Sequence, residues 1–267
     1  MLDLLSRLVK YVDEKSNVID LQFDPQLHPP LPYDPYSTDP SVRKRLAHYL
    51  LLVASVDEGN VVGAAENARK LMVGCYSFLK EQLFSADQNM FREALENVRW
   101  KFEARESSLI PNILGSVNSF VSNQAQGDIL SYSRRFASPF ELAEQISMNI
   151  LRMGRTAGSA RKKTWMYMRW MVRGFPDLRL FHHLQPRDLF VPLDKNVARV
   201  AVCLNVIPEM KLASLTWDDV VQITSLARKL FPEDPAKVDY PLFLLGRRLS
   251  RSRDLSEAAL ISAITSR

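Results

Sequence analysis

Apolar residues recur along the chain at spacings of three and four. They do so in Leu46, Tyr49, Leu50 and Val53, in Phe91, Leu95, Val98 and Phe102, and in Phe140, Leu142, Ile146 and Ile150, which sets each group on one stripe of a helix. Helix starts are signalled as well. Ser138-Pro139-Phe140-Glu141 is a capping box with proline at the first helical position, and Thr216-Trp217-Asp218-Asp219 sets an N-capping threonine before an acidic first turn. β-branched residues alternate with polar ones over no sustained stretch, and only nine glycines punctuate 267 residues. The pattern predicts an all-α protein.

Two stretches interrupt the helical period. Residues 24–40, DPQLHPPLPYDPYSTDP, hold six prolines, which remove amide donors and push preceding residues to extended conformations, so a semi-rigid connector is expected. Residues 174–193, GFPDLRLFHHLQPRDLFVPL, read as a second connector. Residues 41–173 are therefore expected to form one helical lobe, and residues 1–40 with 174–267 a second. A cleft between two lobes is a favoured place for a site.

Composition narrows the class. Hydrophobic residues make up 46% of the chain, enough to bury a large core. The leading MLDLLSRLVKYVDEK carries charge every few positions, no apolar run approaches the ~18 residues of a membrane span, and no secretory signal is visible. Two cysteines, Cys75 and Cys203, cannot build a disulfide framework, a four-cysteine zinc site or a four-cysteine iron–sulfur cluster. They read as small buried apolar residues of a protein in a reducing compartment.

Charge is unevenly spread. The chain has 35 Lys and Arg against 30 Asp and Glu, yet residues 150–200 hold eleven basic and three acidic side chains. Arg152, Arg155, Arg161, Lys162, Lys163, Arg169 and Arg173 crowd around two short glycine-containing turns. Such a cluster fits a polyanion site or, equally, a solvated basic helix face.

The same stretch holds candidate chemistry. Two adjacent lysines, Lys162 and Lys163, precede Thr164 where a helix begins, and both neighbouring cations and the positive helix end disfavour an ammonium. One of them could supply a nucleophilic amine; the plainer reading leaves both in solvent or on phosphate. Downstream, Val191-Pro192-Leu193-Asp194 leads into a helix with Asp194 at the N-cap. A cap needs no catalytic role, but a carboxylate fixed beside a basic cleft can also take a proton or offset a developing cation. His182 and His183 are adjacent and unsuited to one metal. Gly158-Ser159-Ala160-Arg161-Lys162-Lys163-Thr164 lacks the second glycine of a nucleotide-binding loop. Trp100, Trp165 and Trp217 read as core.

The order of glycine-containing turn, Lys-Thr at a helix start, connector, then Val-Pro-Leu-Asp opening another helix resembles the helix-hairpin-helix DNA glycosylases of the endonuclease III superfamily. The nearest branch is the archaeal GO glycosylases, which excise 8-oxoguanine and act as lyases. Asp24-Pro25-Gln26, the long gap from Lys163 to Asp194, Val238-Asp239 and Gly246-Arg247 carry that part of the likeness. The hairpin's usual Leu-Pro-Gly-Val-Gly is replaced by Met153-Gly154-Arg155-Thr156-Ala157-Gly158-Ser159. Through Arg169-Trp170-Met171-Val172-Arg173, Val191-Pro192-Leu193-Asp194 and Asp234-Pro235-Ala236-Lys237-Val238-Asp239-Tyr240 the chain also resembles an uncharacterised family with a domain of unknown function.

The glycosylase resemblance implies a DNA repair enzyme acting on damaged duplex DNA without metal or cofactor. Aligning on Lys-Thr makes Lys163 the nucleophile, with Lys162 its competitor, and Asp194 the carboxylate that helps deprotonate it. Gln26, Asp239, Phe243 and Trp170 fall where the base is held. Arg155, Arg161, Lys162, Lys195 and Arg199 are expected on the DNA backbone. The expected substrate is 8-oxoguanine, with a modified pyrimidine second and a non-catalytic nucleic-acid-binding protein as the rival reading. The protein is expected to be a cytoplasmic, chromosome-associated monomer.

Overall fold

The computed structural model describes residues 2–16, 34–63, 65–101, 104–156, 158–252 and 254–266. Among these residues there are thirteen α-helices and no β-strand. In chain order they are α1 (Leu2–Lys15), α2 (Pro40–Val56), α3 (Gly59–Val62), α4 (Ala65–Leu79), α5 (Gln88–Asn97), α6 (Ile110–Asn123) and α7 (Ile129–Ser133). There follow α8 (Pro139–Asn149), α9 (Lys162–Val172), α10 (Lys195–Cys203), α11 (Trp217–Leu230), α12 (Asp239–Ser252) and α13 (Glu257–Thr265). The protein is all-α. Among the described residues no helix is long and apolar enough to cross a membrane.

Helix starts follow the capping chemistry. Ser138 accepts from the Glu141 amide at 3.3 Å and opens α8, with Glu141 turning back to the Ala137 amide at 3.0 Å. Thr216 and Asp219 form the reciprocal box that opens α11, the Asp219 carboxylate accepting from the Thr216 amide at 2.8 Å. Each such cap is worth about 1 kcal/mol.

Buried apolar side chains fall into two clusters. The first surrounds α2, which is buried continuously from Leu46 to Val56, so that this part of the helix has no polar face to offer solvent. Its one imidazole, His48, is satisfied by Asn118 at 2.8 Å, and burial pushes its pKa down to about 4. The second cluster joins the two ends of the chain: Leu4, Leu8, Tyr11 and Val12 of α1 pack with α10, α11, α12 and α13. The four α1 positions share one helical stripe, and burying each contributes about 1.5–3 kcal/mol.

The division between clusters does not follow the expected boundary at Arg173. Leu178, Leu180, Phe181, Leu184 and Leu189 of the second connector belong to the first core, and Val191 is the first connector residue in the second. The reason is local. The Leu178 and Phe181 amides donate to the Trp170 and Met171 carbonyls at 3.0 and 2.8 Å, folding the connector back along the end of α9. An aromatic joint couples the clusters: Phe190 lies 4.9 Å from Trp165 and 4.8 Å from Trp217, ring centre to ring centre.

Candidate active site

Three helix ends and one helix flank converge on a cleft of about 800 Å³. It contains Lys162 and Lys163 from the start of α9, Asp57 and Glu58 from the segment after α2, Asp194 from the start of α10, and Phe243 and Arg247 from α12.

Two glycines allow this convergence. At Gly154, φ is +98° and a Cβ would stand 2.9 Å from the Arg161 Cα, so only glycine lets the chain there close against the start of α9. Thr164 then pins that start, its hydroxyl donating to the Met153 carbonyl at 2.6 Å. On the opposite wall a Cβ on Gly246 would come within 2.0 Å of the Asn196 carbonyl oxygen. Helix α12 therefore crosses directly over the first turn of α10 and brings Phe243 and Arg247 beside Asp194.

The lysines have different surroundings. Lys162 Nζ donates to Asp57 at 2.8 Å, and its side chain keeps 29% of its exposure. Burial alone would lower its pKa, but the charges of Asp57, Asp194 and Asp239 outweigh that and hold the ammonium above its ordinary value. Lys163 is 8% exposed and donates to the Ser55 carbonyl at 2.8 Å and to Glu58 at 3.1 Å. Burial dominates here, and with Arg152 and Lys162 nearby it brings the Lys163 pKa down to about 8. Asp194 is thus among the charges that act on Lys162.

Asp194 caps α10 with one oxygen, Oδ1, which accepts from the Asn196 and Val197 amides at 2.8 Å. Oδ2 has a single long contact, to the Asn196 side-chain amide at 3.4 Å. Capping therefore leaves one carboxylate oxygen for other work.

Of the other expected residues, Arg161 lines the cleft, bound to Glu144 at 3.3 Å and lying over the Trp217 ring. Lys195 lines it and is exposed. Arg155 is exposed on the turn outside the cleft. Arg199 stands one turn along α10 and donates to Asn196 at 2.7 Å. Phe243 lines the cleft, stacked near Tyr240 with Arg247 over its ring.

Two of the expected base-holding residues are elsewhere. Trp170 is fully buried in the first core, because the apolar face of α9 turns inward there. Asp239 is buried and bound to Arg169 at 2.5 Å. Gln26 lies outside the described residues.

Asp57 and Glu58 were missed in the sequence, although a signal exists. An acidic pair just past the C-terminus of an apolar helix opposes the helix dipole, so it calls for cations from elsewhere. Lys162 answers one carboxylate, and Lys163 with Arg152 the other. No group of three or more His, Cys, Asp or Glu side chains among the described residues is disposed to hold a metal ion.

Residues 63–248 match the model of a family described as a protein of unknown function, DUF2400. The chain belongs to that family. The matched span contains both lysines, Asp194 and Phe243, and it begins just after Asp57 and Glu58. No curated protein and no solved structure matches the chain.

Proposed function

We propose that this DUF2400 protein is a DNA repair enzyme that excises a damaged base and cleaves the strand through a lysine Schiff base. The observation that carries the reading is the meeting of Lys162, Lys163 and Asp194 in one cleft. Its volume suits a nucleotide turned out of a duplex, and Lys195 and Arg247 at the same cleft suit the flanking phosphates.

The surroundings favour Lys162 over Lys163 as the nucleophile, since Lys162 is the more exposed and the charge of Asp194 acts on it. In this reading Lys162 passes a proton to Asp57, and its freed electron pair forms a bond to the sugar C1′. The glycosidic bond breaks and the base leaves with the bonding pair. Loss of a second proton from nitrogen and protonation of the ring oxygen open the sugar to the imine. Removal of a C2′ proton from the protonated imine then expels the 3′ phosphate. Asp194 offsets the positive charge at C1′ while these bonds change. Lys163 holds Glu58 in place through its ion pair.

Phe243 is the aromatic platform available to a flipped base. The resemblance favours 8-oxoguanine. With Trp170 in the core and Asp239 bound to Arg169, an oxidised pyrimidine is the second substrate to test.

Borohydride trapping on duplexes with an abasic site, 8-oxoguanine or an oxidised pyrimidine tests the reading. A covalent adduct lost in Lys162→Gln and retained in Lys163→Gln is expected; the converse moves the nucleophile to Lys163. Duplex binding without any adduct favours a non-catalytic nucleic-acid-binding protein, in which the lysines touch phosphate and Asp194 is only a cap.

A further inference from the structure

A second cavity, of about 960 Å³, opens at the other end of α2. Pro40, Ser41, Arg43 and Lys44 of α2 line it, while Asp57 and Glu58 beyond the opposite end of that helix line the first cleft. The helix has 17 residues, so the two sites lie about 25 Å apart.

Cations dominate this cavity. Arg43, Lys44 and Arg134 line it together with His182 and His183, and Arg179 stands close enough to act on His182. The lining contains one carboxylate, Asp128, and that group is already engaged. It caps α7 through the Leu130 and Ser131 amides and takes Lys44 at 3.9 Å. Arg43 has no carboxylate within ion-pair distance among the described residues. It donates instead to the Arg179 carbonyl at 3.4 Å and to His182 Nε2 at 2.6 Å.

A guanidinium donating to Nε2 requires an imidazole that accepts there, so His182 is neutral with its proton on Nδ1. The groups facing it are Arg43 and Lys44 from α2, Arg134 and Asp128 from the ends of α7, and Arg179 and His183 from its own loop. Partial burial and then Arg43, Arg179, Arg134 and His183 hold its pKa below the ordinary value.

We propose that this cavity binds a phosphate group, with Arg43 and Arg134 as its guanidinium donors and His182 as a third donor. Two guanidinium forks, neither of them in an ion pair among the described residues, fit phosphate oxygens better than a lone ammonium would. The phosphate can belong to a small phosphomonoester or to a nucleic-acid backbone. The site does not depend on the chemistry of the first cleft.

The test follows His182 by NMR, its imidazole signal assigned with His182→Gln. Titration with inorganic phosphate at fixed ionic strength should give a saturable shift and raise the His182 pKa by about one unit, because the anion offsets the surrounding cations. The double variant Arg43→Gln/Arg134→Gln should weaken phosphate binding by about tenfold or more, while trapping at the first cleft persists. Ribose 5-phosphate and a duplex oligonucleotide separate the sources. A shift with ribose 5-phosphate alone identifies a phosphomonoester, and a shift at lower concentration with duplex identifies backbone phosphate. Equal shifts with chloride, or no change in affinity in the double variant, would overturn the proposal.

Discussion

At the start of α9, Lys162 and Lys163 face a cleft; at its end, Arg169 and Arg173 are sealed in the protein. Lys162 retains 29% of its side-chain exposure, whereas Arg169 retains 4% and sits between Asp177 at 3.4 Å and Asp239 at 2.5 Å. Arg173 is held by Asp177 at 2.6 Å and Asp234 at 2.8 Å. One basic run therefore divides into groups that line an open cleft and groups that are buried in ion pairs. The charges are alike in sequence. The difference lies in whether acidic residues, Asp177, Asp234 and Asp239, close over them.

The sealed end should show the largest effect on the fold. Asp177 is 3% exposed and serves both Arg169 and Arg173. Asp177→Ala leaves two buried guanidiniums short of an acceptor, and a loss of about 3–5 kcal/mol is expected in denaturant unfolding. Lys162→Gln, at the open end, should cost less, about 1–2 kcal/mol, since the amide can still donate to the buried Asp57. Equal destabilisation by the two would erase the distinction between the ends.

This division explains what was legible in the sequence. Helical spacing and caps disclosed α2, α5, α8 and α11, because those signals are local. Lys162, Lys163 and Asp194 were legible because each marks the start of a helix. The pairing of Arg169 with Asp239, 70 residues away, and of Arg173 with Asp234, 61 residues away, has no local signature. The sequence could not assign Arg169 and Arg173 to structure, nor Asp239 to an ion pair instead of a base pocket. Trp170 shares that fate: on a helix apolar on most of its surface, only the packing of the lobes decides which aromatic faces a cleft.

The next effect separates capping from chemistry at Asp194. Asn caps about as well as Asp, so Asp194→Asn should unfold within a few tenths of a kcal/mol of the parent. Single-turnover base release should fall by about 10²–10⁴-fold if its carboxylate acts on the reacting sugar. Release at the parent rate would leave Asp194 as a cap alone.

A smaller effect distinguishes the two lysines by proton linkage. Lys163 has a folded pKa of about 8 against an ordinary 10.5. Between those values the unfolded chain holds a proton that the folded chain lacks, so this group makes stability rise with pH. Relative to Lys163→Met, the parent should gain stability from pH 8 to pH 10.5 and show a level difference below pH 8. The gain should not occur in the comparison with Lys162→Met, because Lys162 is held above its ordinary value. A level Lys163 comparison across the whole range would show that its amine is not depressed.

The smallest effect concerns cations that neither end of α9 contains. Lys195 is exposed at the cleft and Arg155 is exposed on the turn before α9. If each meets one phosphate, each neutralised contact releases condensed counterions, and the dependence of log affinity on log salt should flatten by about 0.9 for Lys195→Gln and again for Arg155→Gln. Arg173→Gln, where the side chain is only 9% exposed, should leave that slope unchanged once binding is measured on folded protein. Arg173 has its charge answered by Asp177 and Asp234 and displaces no counterion from DNA. A flattened slope in Arg173→Gln would mean that the network opens toward the nucleic acid, and the two ends of α9 would then differ in degree instead of in kind.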